Sequence, residues 1–214
     1  MKLIIFDLDG TLVDAYSAIY KSVNFALSEL GFPSQKFSYI KRAVGKGDRH
    51  LMVDFVGEKL ADQALKIYRR HHTKALESGV RFLPGAKSLL NWGKSQGFLL
   101  AVASNRPTKF VKIILRTLKA DDYFDKVLCA DKAPKPKPYP DILFKICDDL
   151  KVKKDQTIFV GDMVIDVDCG NRAKIKTVAV ATGSNSKKEL KQSRPYKIIN
   201  QIIQLKQLLK KGFI

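Results

Sequence analysis

The chain has little covalent or membrane chemistry to hold it in place. Its three cysteines, Cys129, Cys147 and Cys169, are odd in number and show neither CxxC nor zinc-ligand spacing. That excludes a disulfide framework and suits a reducing compartment, so they read as small buried apolar residues. No run approaches the ~18 consecutive apolar residues of a membrane-spanning helix. The apolar start MKLIIF meets Asp7 and Asp9 before a signal-peptide core develops. A cytoplasmic protein without membrane contact is the expectation. Internal repeats and low-complexity segments are absent, apart from APKPKPYP at 133–140, which must be extended or turned.

Acidic residues are also scarce, 21 against 39 lysines and arginines, for a formal charge of +18. Such a field attracts anions, whether phosphate esters, nucleic acid or acidic lipid. The excess is spread out, +6 over residues 15–83, +7 over 184–214 and +5 over the remainder. A nucleic-acid module would concentrate it on one element, so a lysine-rich solvated surface is the simpler reading and nucleic-acid binding the distant alternative. At 214 residues, 45% hydrophobic and 28% charged, the chain is long enough to bury a real core without staples, and its composition is globular.

What is present is alternation. KLIIF at 2–6 is a short apolar run closed by DLDG, a buried strand with carboxylates at its carboxyl end. Residues 98–103, 127–130, 157–160, 177–181 and 197–199 read as further strands, separated by helices near 86–96, 107–119, 139–150, 166–173 and 200–210. This order predicts a mostly parallel, doubly wound α/β sheet. Between Asp14 and Pro84 no strand is expected. Apolar positions from Tyr16 to Leu30 recur at helical spacing, and more helix follows around Leu51–Val56 and Leu60–Leu76. The chain then divides into an α/β core of residues 1–14 and 84–214 and an inserted helical cap of 15–83.

In sheets of this kind the ligand crevice lies beyond the carboxyl ends of the strands. Asp7 and Asp9, Ser104 and Asp162 stand at three such ends. Two aspartates two apart can turn into one crevice where the strand gives way to Gly10, and crowded carboxylates call for a divalent cation or a shared proton. A bare DxD is equally a strand end with a capping aspartate. Four features in order go further: DLDGTLVD at 7–14, Ser104-Asn105, Lys137-Pro138-Tyr139-Pro140, and Gly161-Asp162 with Asp166.

Together these resemble the haloacid dehalogenase superfamily over residues 3–183, with its Rossmann-like core and helical cap. The resemblance implies that Asp7 is a nucleophile forming an aspartyl-phosphate, that Asp9 is the general acid and base, and that Ser104 and Lys137 bind the non-bridging oxygens, with Thr11 and Asn105 in the same phosphate pocket. It implies Mg²⁺ held by Asp7, the backbone carbonyl of Asp9, Asp162 and waters, with Asp166 at the same metal site orienting Lys137 or a metal-bound water. Lys135, also before a proline, is the alternative to Lys137. Ala15 and Lys174 stand where the family often has serine and glycine.

An acid at position 9 favours phosphate esters over halides, so the resemblance implies a phosphatase of small phosphorylated metabolites, monomeric or homodimeric. Sugar-phosphate mutases keep both aspartates and remain an alternative. The segment Ala43–Leu51 resembles the VGxGxxxL loop of phosphoglycolate phosphatases, which puts Gly45, Lys46 and Arg49 at the substrate and phosphoglycolate first among substrates. A plain interhelical turn with Asp48 as N-cap and His50 solvated is the competing reading. His71 and His72 are expected on a solvated helix face, and Arg106 either widens the positive pocket or is solvated.

Overall fold

Strand β1 (Leu3–Phe6) is buried along its whole length and pairs in parallel with β4 (Leu99–Ser104) on one side and β6 (Thr157–Gly161) on the other. The structure is a computed structural model describing residues 2–212. Outside β4 lies β5 (Lys126–Cys129); beyond β6 come β7 (Lys176–Val180) and β8 (Lys197–Ile199), every neighbouring pair parallel. The sheet order β5-β4-β1-β6-β7-β8 reverses direction at β1, so the topological switch point falls between β1 and β6, where such sheets open a crevice.

Strand residues alternate between two apolar layers. Ile4, Phe6, Leu100, Val102, Ile158 and Val160 face one core with α4 (Ala86–Ser95), α5 (Thr108–Thr117) and α9 (Gln204–Lys210). Leu3, Ile5, Ala101, Ala103 and Phe159 face the other with α6 (Asp141–Asp149) and α7 (Val164–Ala173). Burial on both faces accounts for the near-continuous apolar runs of these strands. Cys147 and Cys169 lie in the second layer and Cys129 in the first, all free.

Between β2 (Val13–Asp14) and β3 (Arg81–Phe82) the chain forms α1 (Tyr16–Glu29), α2 (Phe37–Ala43) and α3 (Asp48–Gly79). These helices share an apolar cluster of their own around Ile19, Val23, Leu27, Ile40, Met52 and Tyr68. Gly57, at φ 73°, breaks α3 into two helical pieces. Two readings of this segment need correction. A strand does occur in it, since Arg81–Phe82 pairs antiparallel with Val13–Asp14; two residues are too few for periodicity to reveal. Asp48 does not cap α3, because Gly47 occupies that position and the Asp48 carboxylate binds Arg69.

Helix α8 (Lys187–Gln192) lies outside the helices expected from apolar spacing, and Ser186 and Glu189 form the capping box that marks its start. Lys174 closes α7 at φ 57°, with Ile175 N–H bonded to Gly170 O. This left-handed closure is the reason glycine is favoured there, and a lysine carries its steric cost. Lys174→Gly is therefore expected to raise unfolding stability by about 0.5–1 kcal/mol in urea titration; an unchanged or lower midpoint would mean that α7 does not end this way.

Candidate active site

The carboxyl ends of β1, β4 and β6 deliver Asp7, Ser104 and Asp162 into one buried space. Lys137, from the loop before α6, reaches into it and is 4% exposed. Its ammonium donates to Asp7 Oδ1 at 2.5 Å, Asp166 Oδ1 at 2.7 Å and the Ala103 carbonyl at 2.9 Å, which uses all three of its protons. Lys135 lies exposed over the Tyr139 ring, so of the two lysines the loop brings Lys137 to the carboxylates.

Asp166 is fixed from both sides, accepting from Lys137 through one oxygen and from the Met163 N–H through the other. Thr11 does not line the cavity expected of a phosphate-pocket residue; its hydroxyl donates to Asp162 Oδ1 at 2.7 Å. The other Asp162 oxygen is buried with no partner among the described residues, as is the Tyr16 hydroxyl. Both crowd Gly10, whose φ of 85° brings the backbone against them. Tyr16 reads in the sequence only as a helical apolar position, and its polar end carries no local signal.

Ligand atoms of Asp7, Asp162 and Asp166 lie within 4.8 Å of one another. Burial pushes the Asp7 carboxyl up to about 7 against the pull of Lys137, and pushes Asp162 well above the usual carboxylate range, with Asp7 adding to the effect. Lys137 is held above its ordinary value because Asp166 and Asp7 outweigh the opposing effect of burial. Three carboxylates facing one ammonium, with an oxygen of Asp162 unpartnered, make a donor set suited to a hard divalent cation.

A second ion pair stands beside the first. Arg106 grips Asp9 with two bonds, Nε to Oδ2 at 2.7 Å and Nη2 to Oδ1 at 2.9 Å, and its side chain is 9% exposed. Neither solvation nor a loose positive rim describes it. Its Nη1 lies 2.7 Å from His72 Nε2, and His72 Nδ1 lies 3.0 Å from Ser22 Oγ, which itself donates to the Ala18 carbonyl. With the serine proton committed, His72 must donate from Nδ1 and accept at Nε2, a neutral tautomer assigned from the network. His72 is thus fully buried rather than on a solvated face. Burial and Arg106 push it down to about 2.

The remaining expected residues separate. Asn105 lines the cavity, but its amide donates to the Gly45 and Lys137 carbonyls and accepts from the Lys137 N–H, so it clamps two loops rather than offering itself to a ligand. Gly45 also lines the cavity; a side chain there would collide with Met163. Lys46 and Arg49 are not among the lining residues. Arg49 is exposed and bonds to Glu58 and Asp62, which stand beyond the break at Gly57, so its charge is drawn away from the site. Ile19, Val44, Leu51, Tyr68, Phe110, Met163 and Ile165 supply the apolar wall.

A family model described as haloacid dehalogenase-like hydrolase matches residues 4–180. The phosphoglycolate phosphatase of Pseudomonas savastanoi pv. phaseolicola is 32% identical over 213 residues, covering 95% of this chain and 78% of that protein. That of Psychrobacter arcticus is 30% identical over 223 residues, covering 99% and 97%. Among solved structures, a predicted phosphoglycolate phosphatase from Haemophilus somnus 129PT matches with a TM-score of 0.92 at 28% identity, covering 98% of each chain.

The neutral, buried His72 has a consequence for stability. An unfolded histidine takes up a proton as pH falls below about 6.5, while the folded one does not until about 2. Its contribution is present above pH 6.5 and is lost as pH falls, at up to about 1.4 kcal/mol per pH unit. His72→Gln is expected to flatten the fall in stability between pH 6.5 and 4.5 by part of that slope. Identical slopes for the two proteins in denaturant titrations would contradict the buried neutral tautomer.

Proposed function

The chain belongs to the haloacid dehalogenase-like hydrolases, and from that premise we propose that it is a Mg²⁺-dependent phosphatase of small phosphate monoesters, with phosphoglycolate the leading substrate. The observation that carries the reading is the Lys137 ammonium binding Asp7 and Asp166 together beside the half-satisfied Asp162. The relatives named above, similar over nearly the whole chain, support the substrate. The same reading divides the chain into a catalytic core of residues 1–14 and 84–214 and a cap of 15–83. No helix among the described residues is long and apolar enough to cross a membrane.

On this reading an Asp7 oxygen attacks phosphorus while the ester P–O bond breaks, giving an aspartyl-phosphate. For this step Asp9 must first take up a proton on an oxygen that releases its Arg106 bond; it gives that proton to the leaving alkoxide, then takes one from the water that attacks the same phosphorus and frees Asp7 and inorganic phosphate. Lys137, fixed by Asp166, favours the ionised form of Asp7 against the effect of burial; the Ser104 hydroxyl meets a non-bridging oxygen, and Lys137, its protons already committed, adds positive charge beside it. Asp7, Asp162 and the Asp9 carbonyl would hold Mg²⁺, with Asp166 acting from behind through Lys137 and Thr11 steadying Asp162. Bound there, Mg²⁺ supplies positive charge to the transferring phosphoryl group and relieves the repulsion among the buried carboxylates.

Asp7→Asn should lower turnover of phosphoglycolate by roughly 10⁴-fold or more, since an amide cannot attack phosphorus. Rapid quenching of the wild-type reaction should trap phosphate on the peptide containing Asp7, and trapping it on any other peptide would overturn the assignment. Exhaustive EDTA treatment should abolish phosphate release and Mg²⁺ should restore it. Full activity after chelation would remove the metal from the proposal.

A further inference from the structure

With Lys46 and Arg49 outside the cavity, the site needs another cation if it is to recognise an acidic substrate. Only two cationic side chains line the cavity among the described residues, Lys137 and Arg106. The three protons of Lys137 are spent on Asp7, Asp166 and Ala103. Arg106 has five N–H donors, of which two hold Asp9 and one reaches His72, with the Tyr68 hydroxyl against the same guanidinium. Capacity for another acceptor remains, and the fork sits beside the residue that must touch the ester oxygen.

We infer that Arg106 determines specificity by receiving a carboxylate carried on the carbon next to the ester oxygen of the leaving group, with His72 and Asp9 holding the guanidinium in place. The inference rests on the phosphatase reading and names the chemistry of its substrate: phosphate esters of 2-hydroxy acids.

Position supports this. Arg106 follows Ser104 by two residues, and its backbone N–H bonds to Ser104 Oγ at 3.1 Å, so the backbone that carries the guanidinium is tied to the residue expected at the phosphoryl oxygens. An acid at Asp9 must lie against the ester oxygen, and a carboxylate one carbon away then falls within reach of the arginine gripping Asp9. The rest of the wall offers no competing cation: Ile19, Val44, Leu51, Phe110 and Met163 are apolar, and the Asp48 carboxylate is occupied by Arg69. A carboxylate gives the remaining donor of the guanidinium a charged acceptor, which an uncharged leaving group does not.

His72 is a positioning residue in this scheme. It belongs to α3, while Arg106 follows β4, so the accepting nitrogen of an inserted helix fixes the rotation of a guanidinium on the core.

The test compares 2-phosphoglycolate with 2-hydroxyethyl phosphate, which replaces the carboxylate by CH₂OH, in wild type, Arg106→Gln and Arg106→Lys with Mg²⁺. Wild type should prefer the acid in kcat/KM by roughly 10- to 100-fold, the scale of a charge-assisted hydrogen bond. Arg106→Gln should lose most of that ratio while keeping measurable turnover of the neutral ester. Arg106→Lys, which keeps the charge facing Asp9 but not the fork, should lose at least half of it on a logarithmic scale, and serves if the glutamine variant does not fold. Equal loss on both esters would mean that Arg106 acts only through Asp9, and a wild type without preference, or a lysine variant with the full ratio, would equally overturn the inference. Calorimetric binding of both esters to Asp7→Asn, with and without Arg106→Gln, reads the same discrimination without turnover. A wild type that hydrolyses neither ester would count against the phosphatase reading, while the binding ratio would still decide the role of Arg106.

Discussion

The Lys137 ammonium, buried and bonded to Asp7, Asp166 and a backbone carbonyl, is the interaction on which the rest of the site depends. Carboxylates taken out of water cost several kcal/mol each unless a counter-charge and hydrogen bonds replace the lost solvent. Here one cation serves two of them, and it sits at the switch point of the sheet, where parallel strands leave their ends open. Remove it and Asp7 and Asp166 repel each other in a dry space. With it, Asp7 is held through one oxygen and its charge is favoured against burial, while Asp162 keeps a buried oxygen without a partner among the described residues.

A second buried cation links the sheet to the inserted helices. Arg106 compensates Asp9 and is itself steadied by His72 of α3, while Asn105 holds the Gly45 loop against the Lys137 loop. Burial works against the charge of Arg106, and Asp9 more than compensates, holding the guanidinium above its ordinary value. A neutral histidine is the right neighbour for such a group, because it accepts a hydrogen bond without adding a charge. The helices of residues 16–79 are therefore connected to the reacting groups by polar contacts as well as by the apolar packing of Ala18, Ala75 and Leu76 into the sheet layer.

Much of this was legible in the sequence. Each strand of the sheet is a short apolar run, and Asp7, Ser104 and Asp162 stand at the ends of three such runs, so their convergence follows from parallel topology alone. Both Lys135 and Lys137 precede a proline, and it is the fold that brings Lys137 to the carboxylates. What escaped was contact between distant elements. His72 and Arg106 are separated by 34 positions, and nothing local separates a buried neutral histidine from a solvated one. Arg49 shows the converse: a cation beside two glycines looks available until the break at Gly57 places Glu58 and Asp62 within its reach. Thr11 bonds Asp162 and Asn105 bonds the Gly45 and Lys137 loops, partners that residue type alone does not single out, since it fixes what a side chain can donate but not which acceptor is nearest.

The formal charge of +18 and the charge of the cavity then act at different ranges. Surface lysines are screened beyond ~8 Å at physiological salt, so they can favour the arrival of an anion without choosing among anions. Inside, the lining carries Asp7, Asp9, Asp48 and Asp166 against Lys137 and Arg106, a space that would repel a phosphate ester if those carboxylates were bare. Each is compensated separately: Asp7 and Asp166 by Lys137, Asp48 by Arg69 from the exposed side, Asp9 by Arg106. Of these counter-charges, Lys137 is saturated and Arg69 is outside the lining, so discrimination by charge falls to Arg106. On the phosphatase reading the phosphoryl end is common to all substrates, and the leaving group is met by a guanidinium held jointly by Asp9 of the core and His72 of the inserted helix.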